Sequence, residues 1–209
     1  MAEVRPYRGK RLLDFVVVAA AALPALAIGL PAGLLVRLSS PGPVLFRQVR
    51  VGMDGRPFVV LKLRTMVGGG ASPFPQADRI TGVGRLLRRL SIDELPQLLN
   101  VVRGDMSLVG PRPALPYQVE RYTAPQRGRL TVRPGLTGLA QISGRNALTW
   151  SERIEFDLEY VRRQSLSLDM QILLKTAAVV LGGGVGGHPM ADPLARLDPV
   201  SPRTRPMKG

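Results

Sequence analysis

The chain contains no cysteine, and its single histidine, His188, lies in a glycine-rich C-terminal stretch. The first absence removes any disulfide framework and Cys–His catalysis, and the second argues against a Ser–His–Asp triad. Aromatic residues make up only 5% of the sequence. That is thin for a protein that binds single-stranded nucleic acid by stacking bases on aromatic rings, so nucleic acid is not expected as a partner. Acidic residues are also scarce, 15 Asp and Glu against 29 Lys and Arg, for a net charge of +14. Such a surplus calls for acidic partners. Nucleic acid, anionic lipid and phosphorylated small molecules all carry the required charge, and net charge alone does not choose among them. No internal repeat suggests a solenoid or propeller.

What is present begins with an apolar run. Residues 15–36, FVVVAAAALPALAIGLPAGLLV, carry no charge and are bounded by Asp14 and Arg37. A run of this length belongs in lipid, and it is too long for the core of a secretory signal. A single span is the simplest interpretation. Against it, Arg5, Arg8, Lys10 and Arg11 precede the run and Arg37, Arg47 and Arg50 follow it, and cationic flanks on both sides favour the cytoplasm at both ends. Pro24, Gly29, Pro31 and Gly33 offer places to break the helix. The expected element is therefore a re-entrant helix–break–helix hairpin, preferred over a span.

The chain divides into a basic N-terminus with this membrane element (1–40), a single folded domain (41–181) and a Gly/Pro-rich basic tail (182–209) expected to be disordered. The expected fold is mixed α/β and membrane-associated, with amphipathic helices at the interface. Residues 44–51 and 58–63 are rich in aliphatic and β-branched side chains around an Asp54-Gly55 turn, which predicts a β-hairpin. Residues 67–77 contain too much glycine and proline to pack and read as a lid-like loop. Residues 84–90 form a short basic amphipathic helix, either a solvated face or a surface for phosphate and lipid headgroups. Leu95, Leu98, Leu99 and Val102 recur at helical spacing and predict a buried face, with Gly104 ending that helix. Thr149 and Glu152 form a capping box for a helix to about Gln164 that turns Ile154, Leu158 and Val161 inward. Leu168 to Leu181 follows as a more apolar helix, fit for the core or the membrane interface.

The chemistry concentrates between Arg85 and Pro113. Arg85, Arg88 and Arg89 precede the adjacent acids Asp93 and Glu94, and Pro111 and Pro113 lock the backbone on both sides of Arg112. Ser91-Ile92-Asp93-Glu94 also has the form of a capping box, with Ser91 as N-cap and Glu94 three residues on. The surrounding cations exceed what one cap needs and point to a phosphate site with a nucleophile. Residues 133–138 and 141–146 form a second proline–glycine region, which can admit a ligand to the backbone or serve as ordinary turns.

Eight ordered segments, KRLLD (10–14), the apolar run, SPGPV (40–44), KLRTM (62–66), SIDELPQLLN (91–100), GDMSLVGPRP (104–113), RPGLTG (133–138) and SGRN (143–146), closely resemble the bacterial sugar transferases known as small monotopic phosphoglycosyl transferases. The resemblance runs from residue 10 to about 181. It implies transfer of a sugar-1-phosphate from a UDP-sugar to polyprenyl phosphate with release of UMP, the first membrane step of glycoconjugate assembly, at the cytoplasmic face of the bacterial inner membrane. It further implies Asp93 as the nucleophile that forms a covalent phosphosugar, Mg²⁺ as the cofactor held by Asp93 and Glu94, and Arg88, Arg112 and Arg145, with Pro111 and Pro113, at phosphate or nucleotide groups. For Glu94 three roles stay open: metal ligand, orienter of Asp93, or helix cap. Anionic membrane lipid is a further implied partner, and a homodimer is left open. Many relatives carry a Ser-Pro pair at the turn of the membrane helix, where this chain has Leu26-Ala27 between Pro24 and Pro31. No Asp-x-Asp motif is present, in keeping with phosphosugar rather than glycosyl transfer. Two other readings of the chain are a membrane-tethered basic binding protein and a catalytically silent scaffold of a glycan assembly complex.

Overall fold

A computed structural model describes residues 6–68, 79–144 and 148–181. The expected tail at 182–209, Arg145 and most of the glycine-rich loop lie outside these residues. The first element, α1 (Lys10–Ser39), is one helix of 30 residues, the only described helix long and apolar enough to cross a membrane. The break expected near the prolines is not found: Pro24 and Pro31 both sit inside the helix. Each proline removes one backbone donor, a loss the adjacent turns can absorb.

The buried residues of α1 explain its placement. Lys10, Asp14, Val18, Ala32 and Val36 are buried, with Ala21, Ala22, Ala25 and Gly29 half-buried between them. They form one stripe that faces the rest of the molecule along the whole helix. The opposite face leaves Leu12, Val16, Leu23, Leu26, Leu30, Leu34 and Leu38 exposed. Polar contacts fasten both ends. At the first, Asp14 accepts from the Ser107 hydroxyl (2.9 Å) and the Leu108 amide (3.0 Å), Arg11 donates to the Val101 carbonyl (3.1 Å), and Lys10 pairs with Asp169 and donates to the Val109 carbonyl (2.9 Å). At the last, Arg64 donates to the carbonyls of Ser40 (2.6 Å) and Val36 (3.2 Å), placing a cation where the helix leaves carbonyls unpaired.

The expected hairpin is present as β1 (Leu45–Val51) and β2 (Pro57–Leu63), antiparallel with Leu45 opposite Leu63 and Val51 opposite Pro57. Its turn holds Asp54 at φ 57° and Gly55 at φ 76°, the left-handed conformations that an Asp-Gly pair tolerates. After α2 (Gly82–Arg89), capped by the Thr81 hydroxyl accepting from the Gly84 amide, comes a 3-10 segment over Ile92–Gln97 and then α3 (Leu98–Arg103). Gly104 ends α3 in the left-handed region, as expected.

The predicted face of α3 is out of phase with the observed one. Asn100 and Val101 are buried, whereas Leu99 and Val102 are exposed. Asn100 accounts for the rotation, because its amide accepts from the Leu61 amide (3.2 Å) and donates to the Val59 carbonyl (2.8 Å), tying α3 to β2. A buried amide with its partners supplied can fix which face turns inward.

A second sheet was not anticipated. It pairs β3 (Ser107–Val109) and β4 (Gly135–Thr137) in parallel, with the short α4 (Pro116–Glu120) between them in sequence. Both strands are three residues long, too short for a periodicity signal. The chain continues through α5 (Leu139–Ser143), α6 (Trp150–Arg163) and α7 (Leu166–Leu181). The Thr149–Glu152 capping box opens α6 as predicted, with Ile154 and Val161 buried and Leu158 half-buried. The main core joins Val18, Val60, Val101, Met106, Leu108, Val109, Tyr160 and Ile172, so that α1, β2, α3, β3, α6 and α7 meet at one point.

Candidate active site

The 3-10 segment that carries the acidic pair is entered through Ser91, at φ 57° and ψ 18°. A non-glycine residue there costs about 1–2 kcal/mol, and such outliers collect at functional sites. The Ser91 side chain makes no cap. The capping-box reading is thereby corrected: Glu94 turns instead to two cations, with its Oε1 2.8 Å from Lys62 Nζ and 2.8 Å from Arg112 Nη2.

Asp93 is buried, and its Oδ1 has no hydrogen-bond partner. Burial pushes the Asp93 carboxyl up, and the Glu94 charge adds to this, while Lys62, Arg88 and Arg112 pull it back. Glu94 behaves in the opposite way. Burial also acts to raise it, but Arg112 and Lys62 together hold it well below the usual carboxylate range. Two neighbouring carboxyls are thus driven apart, one firmly ionised and one kept more basic, a pattern associated with divided chemical roles. On Lys62, burial outweighs the pull of Glu94 and lowers its pKa.

Arg112 is held through its backbone. The Pro111 carbonyl accepts from the Gly135 amide (2.8 Å), the Arg112 carbonyl from Arg129 (2.9 Å), the Pro113 carbonyl from Arg50 (3.0 Å) and the Ala114 carbonyl from the Val51 amide (2.9 Å). With two prolines and four consecutive carbonyls pinned, little freedom remains except in the Arg112 side chain, which stays 41% exposed. Arg129 is itself buried and paired with Asp157. Burial pushes Asp157 up to about 6 despite Arg129, Arg153 and Arg112, and it lowers Arg50 to about 10, with the nearby Arg112 charge acting the same way.

The arginine cluster of the sequence divides. Arg88 is half-buried; its Nε donates to the Thr65 hydroxyl (2.8 Å) and its charge acts on Asp93. Arg85 and Arg89 point to solvent. Pro111 and Pro113 are buried on either side of Arg112. The structure therefore brings together Asp93, Glu94, Arg88 and Arg112 from the predicted set and adds Lys62, Thr65, Arg129, Asp157 and Arg50. Signals for two of the additions were available: Lys62 interrupts an aliphatic strand, and Asp157 occupies an inward position of α6 between Ile154 and Val161.

Among the described residues no group of three His, Cys, Asp or Glu side chains could form a metal cage. Magnesium seldom needs one, since it takes one or two carboxylates and completes its shell with water and substrate oxygens. The orphaned Oδ1 of Asp93 fits that demand, while Glu94 is already engaged by two cations.

Comparison with known proteins gives the class of this site. The family model for bacterial sugar transferases matches residues 6–183, a span that contains every residue described above. The chain belongs to the bacterial sugar transferase family and is a transferase. It is 50% identical over 187 residues to the UDP-glucose:undecaprenyl-phosphate glucose-1-phosphate transferase of Caulobacter vibrioides, covering 82% of this chain and 69% of that one. An uncharacterized sugar transferase of Bacillus subtilis, EpsL, is 51% identical over 150 residues, covering 70% and 74% of the two chains. The exopolysaccharide production protein ExoY of Rhizobium meliloti is 41% identical over 199 residues, covering 85% and 88%.

Proposed function

We propose that this protein moves a sugar-1-phosphate from a UDP-sugar to polyprenyl phosphate through a covalent phosphosugar on Asp93, releasing UMP, as the first membrane step of glycoconjugate synthesis. The observation that carries the reading is the Asp93 carboxyl: buried, more basic than its neighbour, one oxygen without a partner, and within the field of Lys62, Arg88 and Arg112. In the first step a carboxylate oxygen of Asp93 attacks the phosphorus that bears the sugar. A P–O bond to Asp93 forms, the bridging P–O bond breaks, and UMP departs with the bonding pair. In the second step a phosphate oxygen of the polyprenyl acceptor attacks the same phosphorus, and Asp93 leaves as a carboxylate.

Positioning and charge stabilisation dominate phosphoryl transfer. Arg112 and Arg88 supply fixed cations for the diphosphate oxygens, with Arg145 proposed for the nucleotide. Lys62 and Arg112 keep Glu94 ionised and oriented. Magnesium, held through Asp93 together with substrate oxygens, would neutralise diphosphate charge, while Glu94 stays with Lys62 and Arg112.

The protein is proposed to work from the cytoplasmic face of the inner membrane, where UDP-sugars are made. Support comes from α1: about 45 Å of helix at 1.5 Å per residue presents an apolar outer face while both of its ends are tied to one folded domain. A helix that crossed the bilayer would separate its ends by ~30 Å of hydrocarbon. A helix embedded in one leaflet keeps both ends on the same side and brings a lipid-borne acceptor level with Asp93.

The test mixes the purified full chain with Mg²⁺, undecaprenyl phosphate and a panel of UDP-sugars. UMP should appear with at least one donor and only when lipid acceptor is present in multiple-turnover reactions. No UMP with any donor, from folded protein, would leave the binding or scaffold reading in its place.

A further inference from the structure

Thr65 stands just beyond the end of β2 and is buried. Its position is set from several sides. Its carbonyl accepts from the Thr81 amide (3.1 Å), Met66 bridges to Ile80, and the adjacent Arg64 grips the last turn of α1. Three residues earlier, Lys62 is bonded to Glu94. The carbonyl of Thr65 also lies so close to Gly84 of α2 that a side chain there would overlap it. One short segment therefore touches the membrane helix, the acidic pair and the arginine-bearing helix α2.

From this fixed point the Thr65 hydroxyl accepts a hydrogen bond from Arg88 Nε at 2.8 Å. Nε is the donor nearest the aliphatic stem of a guanidinium, so engaging it sets the plane of the group. The two Nη groups then remain for another acceptor, and among the described residues none is provided by the protein. A planar edge with two donors matches two oxygens of a phosphate.

We infer that Thr65 is a positioning residue: its hydroxyl orients Arg88 so that both Nη groups face a diphosphate bound beside Asp93. The inference rests on the UDP-sugar reading of the site. It assigns Thr65 a role through Arg88 and no contact with substrate.

The experiment is a double-mutant cycle on the full chain in detergent, read as the dissociation constant for UDP in the presence of Mg²⁺. UDP carries the diphosphate common to every UDP-sugar donor. Thr65→Val removes the hydroxyl and is expected to weaken UDP roughly tenfold, a loss of ~1.4 kcal/mol, with Arg88→Ala weakening it at least as much. The double variant should bind no more weakly than Arg88→Ala, because two residues acting through one contact are not additive. Thr65→Ser restores the hydroxyl and should bind UDP within about twofold of wild type. Melting temperatures identify any variant that fails to fold, and Thr65→Ala replaces the valine variant in that case. A Thr65→Val protein that binds UDP like wild type, or losses that multiply in the double variant, would overturn the inference and leave the proposed function standing. A folded wild type that does not bind UDP would overturn both.

Discussion

Replacing Arg112 by lysine separates charge from geometry at the point where the site is best defined. In the structure Arg112 Nη2 bonds to Glu94 at 2.8 Å, and four consecutive carbonyls fix the backbone on which the side chain stands. A guanidinium can hold Glu94 with one edge and offer its remaining donors to phosphate. A lysine ammonium is a compact point charge that cannot reproduce the planar fork. Losing one charge-assisted hydrogen bond is worth about 1.5–3 kcal/mol, which corresponds to roughly 10- to 150-fold in kcat/KM. Because the Arg112 side chain is 41% exposed, solvent screens part of the contact and favours the lower end. The assay is UMP release against UDP-sugar concentration, run beside thermal unfolding. The melting temperature should barely move, since the pins act on main-chain atoms that the substitution leaves alone. Unchanged kcat/KM in a folded Arg112→Lys protein would refute the argument, and a large fall in melting temperature would make Arg112 a structural residue.

Further perturbations test other parts of the account. A Cβ at Gly84 would meet the Thr65 backbone, so Gly84→Ala should lower unfolding stability by about 1–3 kcal/mol, and transfer activity should fall with it. Asp157 is raised to about 6 in the folded protein, above its unfolded value near 3.8–3.9; its ionisation therefore opposes folding. As pH falls from 8 to below 4, this carboxyl should add stability, and the wild type minus Asp157→Asn difference in unfolding free energy should shift in favour of the wild type, by about 0.4 kcal/mol at pH 6 and up to about 3 kcal/mol below the unfolded value. A flat difference across that window would remove the raised value. The absence of cysteine allows single probes at exposed Arg8 and Arg56. Both Arg8→Cys and Arg56→Cys should resist an impermeant thiol reagent in intact cells and react after permeabilisation; labelling of the Arg8 position alone would mean that α1 crosses the membrane.

Much of this arrangement was legible because local rules dominate where it lies. The Asp54-Gly55 turn, the Thr149–Glu152 box, the Gly104 stop and the long apolar run each depend on a few adjacent residues, and each is present in the structure. The failures share another cause. Asn100 rotates α3 through bonds to β2 some forty positions away in sequence, and the β3–β4 sheet joins two three-residue segments separated by a helix. No local pattern encodes either. At the acidic pair, spacing alone suggested a helix cap, whereas Glu94 answers to Lys62 and Arg112. The motifs supplied the candidate residues, but only the fold revealed that the KLRTM segment reaches α1, Glu94 and Arg88 at once. The helix break expected at Pro24 and Pro31 rests on backbone chemistry, yet both prolines lie within one continuous helix.

The central claim is that Asp93 carries the sugar phosphate. The direct measurement is the intact mass of the protein after incubation with an accepted UDP-sugar and Mg²⁺ and without lipid acceptor. The wild type should gain the mass of one sugar phosphate and lose it when undecaprenyl phosphate is added, while Asp93→Asn should gain nothing and release no UMP. An equal adduct on Asp93→Asn, or wild-type turnover by that variant, would place the nucleophile elsewhere and contradict the account.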